Sequence, residues 1–313
     1  MPTYLDPKND IPFKKIFVEH KDLMMSFLNS LLPLPDDCEI IDLEYEPTEI
    51  LPENPMSKDS FVDVKCFDEK GRHFIVEMQM YWKHAFLNRL LYNTAKVYTK
   101  ELKKNEDFGK LQPVYGLAIL NDVMNKSHTH YYHRYRMTEE THSEEKINGI
   151  DITLIELPLF EPPLNGHQKM KDLWIEFLKE IGEQTKEEKI SQSLKENKII
   201  AKALDLCREY AYTEEERAAY DKVHEGIIFR AMELSESIAE GEAKGRAEGE
   251  AKGRAEGEAK GRAEGELAGE ARGETRGKKD AQLAIAQNLK SQGVAVSVIV
   301  AATGLSSKDI EQL

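Results

Sequence analysis

Three side chains near the first quarter of the chain have the types and spacing to do chemistry: Asp63, Glu77 and Gln79. They fall in the stretch from Phe61 to Met80, two runs of alternating residues around the turn Glu69-Lys70-Gly71-Arg72. Successive strand side chains point to opposite faces. The pattern therefore predicts Val62, Val64 and Cys66 on one face, and Asp63 and Lys65 on the other with Phe61 and Phe67. In the second run Val76, Met78 and Met80 share a face, and Glu77 and Gln79 take the opposite one with Ile75. A glycine-containing turn between such runs reads as a β-hairpin. Antiparallel pairing would bring Asp63 and Glu77 close enough to share a metal ion. A hard cation such as Mg²⁺ suits two carboxylates, with water and phosphate oxygens filling its remaining positions. The plainer alternative for charges on one strand face is a solvated surface.

Asp, about fourteen residues, then Glu-x-Gln at the end of a second strand resembles the PD-(D/E)XK nuclease motif, whose Glu-x-Lys is Glu-x-Gln in some branches. The flanking segments tighten the resemblance. FKKIF and SFLNSLL precede the hairpin, and RLLYNTAKVYTKEL and LQPVYGLAILND follow it. In this order they are similar to the Rpn family of recombination-promoting nucleases and transposases, over roughly Asp6 to Phe160. The resemblance implies an α/β fold with a PD-(D/E)XK restriction-endonuclease-like core, a mixed central sheet flanked by helices. It also implies Asp63 and Glu77 as ligands of Mg²⁺ (or Mn²⁺), Gln79 in the place of the motif lysine, and DNA as substrate. An arginine and a tyrosine of the family pattern are matched by Arg89 and Tyr92.

Composition bounds this reading. At 313 residues with 40% hydrophobic content, the chain can bury one or two cores. No apolar run is long enough to span a bilayer and no secretory pattern opens the chain, so a soluble, cytoplasmic protein with no membrane partner is expected. Cys38, Cys66 and Cys207 lack metal-ligand spacing and read as small hydrophobic side chains. A net charge of −14 argues against strong DNA binding without metal.

The elements that must position the site can be read in order. Asp10 is a plausible N-cap for a helix with Phe13, Ile16 and Phe17 on one face. Lys14 and Lys15 on it are either solvated charge or phosphate contacts. A second helix spans Lys21 to Leu32, and Ile40 to Glu46 reads as a strand. Trp82 to Lys104 is the strongest helix, with Phe86, Leu90, Tyr92 or Asn93, and Val97 at helical spacing. It carries Arg89, Lys96, Lys100, Lys103 and Lys104. Arg89 could hold a phosphate bidentately or pair with a hairpin carboxylate. Lys65 and Lys96 complete the candidate nucleic-acid contacts, with Lys14, Lys15 and Arg89. Pro113 to Leu120 reads as a buried central strand, Thr129 to Met137 as a strand nearer an edge, and Ile152 to Leu157 as the last strand. His128, His130 and His133 lack a partner motif and are expected at the surface.

The nuclease-like domain is thus expected over residues 1–163, with a helical region packed on it over 164–239. Gln168 to Ile181 and Glu187 to Tyr210 read as amphipathic helices, and Thr213 with Glu216 as a capping box opening another. From Glu240 the octapeptide EGEAKGRA occurs three times in register, and degenerate copies continue to Lys279. Glycine at every fourth position opposes a helix, whereas the i,i+4 pairs Glu242–Arg246, Lys244–Glu248, Glu250–Arg254 and Lys252–Glu256 favour one. Residues 240–279 are expected as a marginal helix or a flexible spacer. Residues 280–313 read as a small helix-turn-helix-like module, with Ser306 and Asp309 capping its last helix. Its one basic residue after Gly304 is Lys308, which favours protein contact over DNA reading. A homo-oligomer assembled through this C-terminal arm is expected. The function expected is a metal-dependent DNA endonuclease associated with recombination or mobile elements. The alternative is a nuclease fold of weak or lost activity that binds DNA or assembles.

Overall fold

The fold is that of a computed structural model describing residues 4–35, 37–50, 60–102, 106–163 and 169–313. Lys103, Lys104 and most of the expected loop from Thr48 to Ser60 lie outside the described residues. The chain forms two compact units, Met1–Arg230 and Ala231–Leu313.

The first unit is a sheet with helices on both faces. It opens with α1 (Asp10–Phe17) and α2 (Lys21–Leu31), followed by β1 (Leu43–Tyr45), β2 (Glu49–Ile50) and β3 (Ser60–Phe61). The hairpin strands are β4 (Val64–Asp68) and β5 (His73–Gln79). Then come α3 (Ala85–Lys100), β6 (Val114–Leu120), β7 (Tyr132–Thr138) and β8 (Lys146–Glu156). Six of the strands form one mixed sheet in the order β1-β4-β5-β6-β8-β7. The β5–β6 and β6–β8 pairs are parallel, and the outer pairs are antiparallel. Both faces of β6 are covered, which is why every residue of VYGLAIL is buried. At Gly116 the reason for glycine is a close approach: an added Cβ would stand 2.9 Å from Thr94 Cγ2 on α3.

One face of the sheet packs on α1, α2, α4 (Met170–Glu180) and α6 (Lys198–Leu206). Its core joins Val64, Cys66, Phe74 and Val76 to a knot of aromatic rings, Phe17, Phe27 and Trp174. The opposite face packs on α3 through Ile75, Phe86, Leu90, Val97 and Leu154. Of the helices beyond residue 163, α4 and α6 therefore share one core with the sheet and with α1 and α2. The hairpin turn is held by Asp68, whose buried carboxylate accepts the Lys70 and Arg72 amides at 3.1 and 2.8 Å and pairs with the Arg72 guanidinium. Gly71 supplies the positive φ of the turn, +75°.

Several expectations need correction. Val62 does not share a face with Val64 and Cys66: the chain bends at Asp63, and Val62 packs with Ile50 and Ile75 on the α3 side. Asp10 is not the cap of α1. Asn9 is, accepting the Ile11 amide at 3.2 Å, and Asp10 is the first helical residue. The expected helix over Glu187–Tyr210 is broken into α5 (Gln192–Glu196) and α6, because Ser191 caps the first and Asn197 caps the second. The last strand starts at Lys146, well before Ile152.

The remaining helices are α7 (Glu214–Ser291), α8 (Val296–Thr303) and α9 (Ser307–Glu311). Thr213 and Glu216 open α7 with the reciprocal bonds of a capping box, 2.7 and 3.2 Å. The octapeptide tract is helical throughout. Lys244–Glu248 and Lys252–Glu256 pair as the spacing predicts, but Arg246 and Arg254 reach forward to Glu250 and Glu258 at 3.1 Å and not back to Glu242 and Glu250. In the second unit Ala286, Ile299, Leu305 and Ile310 form a small core of their own. Ser306 caps α9 through the Asp309 amide, as expected, and Lys290 Nζ closes its far end on the Ile310 and Glu311 carbonyls.

Candidate active site

Register brings the two carboxylates together. Val64 is paired with Val76, so one further step sets Asp63 opposite Glu77. The bend at Asp63 takes its backbone out of the ladder, and its side chain substitutes: Oδ2 accepts the Met78 amide at 2.6 Å. Glu77 points from β5 to the α3 side and is 3% exposed. Asn93 Nδ2 stands 3.4 Å from Glu77 Oε1, and Arg89 Nη2 3.4 Å from Oε2. Arg89 and Asn93 are one turn apart on α3, which is why both reach the same strand. Arg89 also donates to Gln79 Oε1 at 3.2 Å, while Gln79 Nε2 donates to the Tyr81 carbonyl at 2.8 Å.

Electrostatics mark the pair as unusual. Burial, and secondarily the charge of Asp63, push the Glu77 carboxyl up to about 7, against the pull of Arg89 and Asn93. Burial also raises Asp63, with the Met78 N–H opposing it. Asp10 raises Asp63 further and Arg89 and Lys14 lower it, so the start of α1 contributes to the field of the site. Two anions sharing one buried position repel, and each is costly to ionise alone. A cation between them would remove both costs.

The expected basic contacts are distributed unevenly. Lys14 is half-exposed and pairs with Asp10 at 2.9 Å. Arg89 is 52% exposed and makes the salt bridge to the hairpin carboxylate that was one of its two readings. Lys15 is engaged by Glu216 at 2.9 Å and lies over the Tyr212 ring. Lys65 faces Glu46 at 3.4 Å. Lys96 donates to the Ile50 carbonyl and Ser60 Oγ, and so ties α3 to β2 and β3. Asp10 and Asn93 were missed as site residues. In sequence Asp10 has the signature of a cap, and Asn93 is the buried member of the Tyr92/Asn93 alternative. The surface reading of the histidines also fails in part, because His128 and His133 converge on buried Glu156.

A family model described as PD-(D/E)XK nuclease family transposase matches residues 7–235, the sheet, its helices and the start of α7. This chain belongs to that family. No curated protein and no solved structure matches it. In this PD-(D/E)XK nuclease family transposase the mixed sheet, with one carboxylate at the bend before β4 and another near the end of β5, agrees with the fold and family expected from the motif. Among the described residues, no helix is long and apolar enough to cross a membrane.

Proposed function

We propose that this PD-(D/E)XK nuclease family transposase is a metal-dependent DNA endonuclease. The observation that carries the reading is the pair of half-buried Asp63 and buried Glu77, set opposite each other by strand register and held in a state that disfavours two bare charges. The donor set fits Mg²⁺ or Mn²⁺: two carboxylates offering hard oxygen ligands, each of them costly to ionise where it stands. Asp63 and Glu77 would hold the ion. When bound, such an ion polarises a phosphoryl oxygen and acidifies a water.

The other residues have positioning roles that follow from their contacts. Asp63 keeps one carboxylate oxygen on the Met78 amide, which orients the other. Gln79 is neutral and held at both ends, so it can orient a water but adds no charge to the transition state. Positive charge must come from Arg89, half-exposed and planar, and from Lys14 in the last turn of α1. Plasmid nicking with MgCl₂, with EDTA, and with Asp63→Ala tests the assignment. Nicking is expected only from the unmodified protein with metal, and undiminished nicking by Asp63→Ala removes Asp63 from the chemistry.

A second reading, a nuclease fold retained for DNA binding or assembly, is favoured by one observation. Gln79 spends both its amide groups on Tyr81 and Arg89, as a structural residue does. Metal binding with DNA present, but without nicking, would select it. On either reading we infer a homo-oligomer formed through the C-terminal arm, supported by Leu267, Ile285 and Val298, apolar side chains of the arm that stand exposed.

A further inference from the structure

We infer a second metal site, distinct in ligand chemistry from the carboxylate pair, at His128, His133 and Glu156. Glu156 is the last residue of β8 and its side chain is fully buried. One carboxylate oxygen accepts the Met124 amide. The other is approached by His133 Nε2 at 2.7 Å and by His128 Nδ1 at 3.2 Å. The ligand atoms of the three residues all lie within 4.8 Å of one another. Among the described residues no lysine or arginine pairs with Glu156, so the side chains that meet its buried carboxyl group are the two imidazoles.

Two imidazoles and one carboxylate form a donor set that holds a tetrahedral zinc-class ion and leaves the fourth position open. Bond lengths of about 2.0–2.2 Å place tetrahedral donors roughly 3.4 Å apart. The His128 contact already has nearly that spacing, and the His133 contact needs to open by less than about 1 Å. The set is also pre-positioned. The Glu156 amide donates to the Tyr131 carbonyl at 2.8 Å, and the His128 amide donates to the Asn125 carbonyl at 2.9 Å. Imidazole nitrogens favour zinc-class ions, whereas Mg²⁺ takes oxygens. The two sites therefore select different metals.

They are also separate in space. Gln79 pairs with Leu120, and Leu120 with Glu156, in one row across the sheet. Two strand spacings, about 10 Å, separate the backbones of Gln79 and Glu156. A zinc-class ion here would clamp the segment between β6 and β7 onto the end of β8, in the same row as the nuclease motif.

The test is zinc binding by the full, untagged chain after EDTA treatment and dialysis. ZnCl₂ alone is titrated calorimetrically, and CoCl₂ is followed by visible absorption, which reports tetrahedral coordination. One equivalent is expected, held against a large excess of MgCl₂. Asp63→Ala should retain it. His133→Ala and His128→Ala should each weaken it by about tenfold or more, with the circular dichroism spectrum unchanged. His128 is partly exposed, so its replacement spares the core. Three results would overturn the site: no zinc held by the unmodified protein, binding that survives both histidine replacements, or binding lost in Asp63→Ala. The last would place zinc at the nuclease carboxylates.

Discussion

Glu77→Gln should stabilise the metal-free protein, and do so only above the acidic range. The Glu77 carboxyl lies at about 7 in the folded protein against 4.5 ordinarily. Between those values the folded state binds more protons than the unfolded state, so stability falls as pH rises. The loss begins near pH 4.5 and is complete above pH 7. Its size is about 3 kcal/mol, since each decade of displacement corresponds to about 1.4 kcal/mol. Glu77 is almost wholly buried, so solvent screening takes little of this away. A glutamine cannot ionise and escapes the loss, and its carbonyl oxygen can still accept from Asn93 Nδ2. The assay is denaturant unfolding in EDTA, followed by fluorescence of Trp82 and Trp174, both in the first compact unit. The two proteins should diverge from pH 5 to pH 8, with Glu77→Gln the more stable by up to about 3 kcal/mol at the upper end. Mg²⁺ should close the gap by stabilising the unmodified protein. Parallel curves over that range would refute the argument, because Glu77 would then ionise at no cost to the fold.

Other outcomes follow from named contacts. Gln79→Lys loses the bond from Arg89 and adds charge beside the carboxylates; nicking should survive or rise, and collapse of activity with an intact circular dichroism spectrum would show that a neutral amide is required there. Gly116→Ala places a methyl 2.9 Å from Thr94 Cγ2 beneath α3; it should destabilise the protein by about 1–3 kcal/mol in urea unfolding, and an unchanged midpoint would show that α3 yields freely. Truncation after Ala239 should leave a folded, metal-binding core of lower association state that nicks plasmid but linearises less of it. Light scattering checks the mass, and an unchanged oligomer would place the interface in the core.

How much of this was legible depends on the range of the interaction involved. The hairpin could be read because its two signals are local: alternation in Val64–Asp68 and His73–Gln79, and a glycine with positive φ between them. The capping box at Thr213 and the N-cap at Ser306 were legible for the same reason. The breaks at Ser191 and Asn197 were legible in principle, since both are good N-cap residues, but the surrounding apolar periodicity outweighed them. Glu156 could not be paired with His128 and His133 in advance. Their convergence depends on β8 lying parallel to β6 and antiparallel to β7, and no local pattern specifies that. Asp10 was obscured by a neighbour: Asn9 and Asp10 cap equally well, and the choice of Asn9 is what leaves Asp10 in the field of Asp63. Val62 was misplaced because period two holds only within an unbroken strand, and the bend that frees Asp63 also turns Val62 over.

The acidity of the chain and its proposed affinity for DNA are reconciled by where the charge lies. The tract from Glu240 to Lys279 carries ten acids and ten bases, so the excess of 14 negative charges falls on the rest of the chain. At the site itself Asp10, Asp63 and Glu77 face Lys14 and Arg89, and Arg89 is already committed to Glu77. With every carboxylate ionised, the acids outnumber the bases and would repel a phosphate. On the proposed reading a divalent ion would reverse that local sign and release Arg89 from the task of neutralising Glu77. The half-exposed guanidinium, 3.2 Å from Gln79, is then placed to take a phosphate oxygen. On the proposed reading, metal and DNA bind cooperatively because the ion changes which partner Arg89 serves. The motif lysine would have tied a fixed charge to this position, whereas glutamine leaves the charge of the site to depend on the metal.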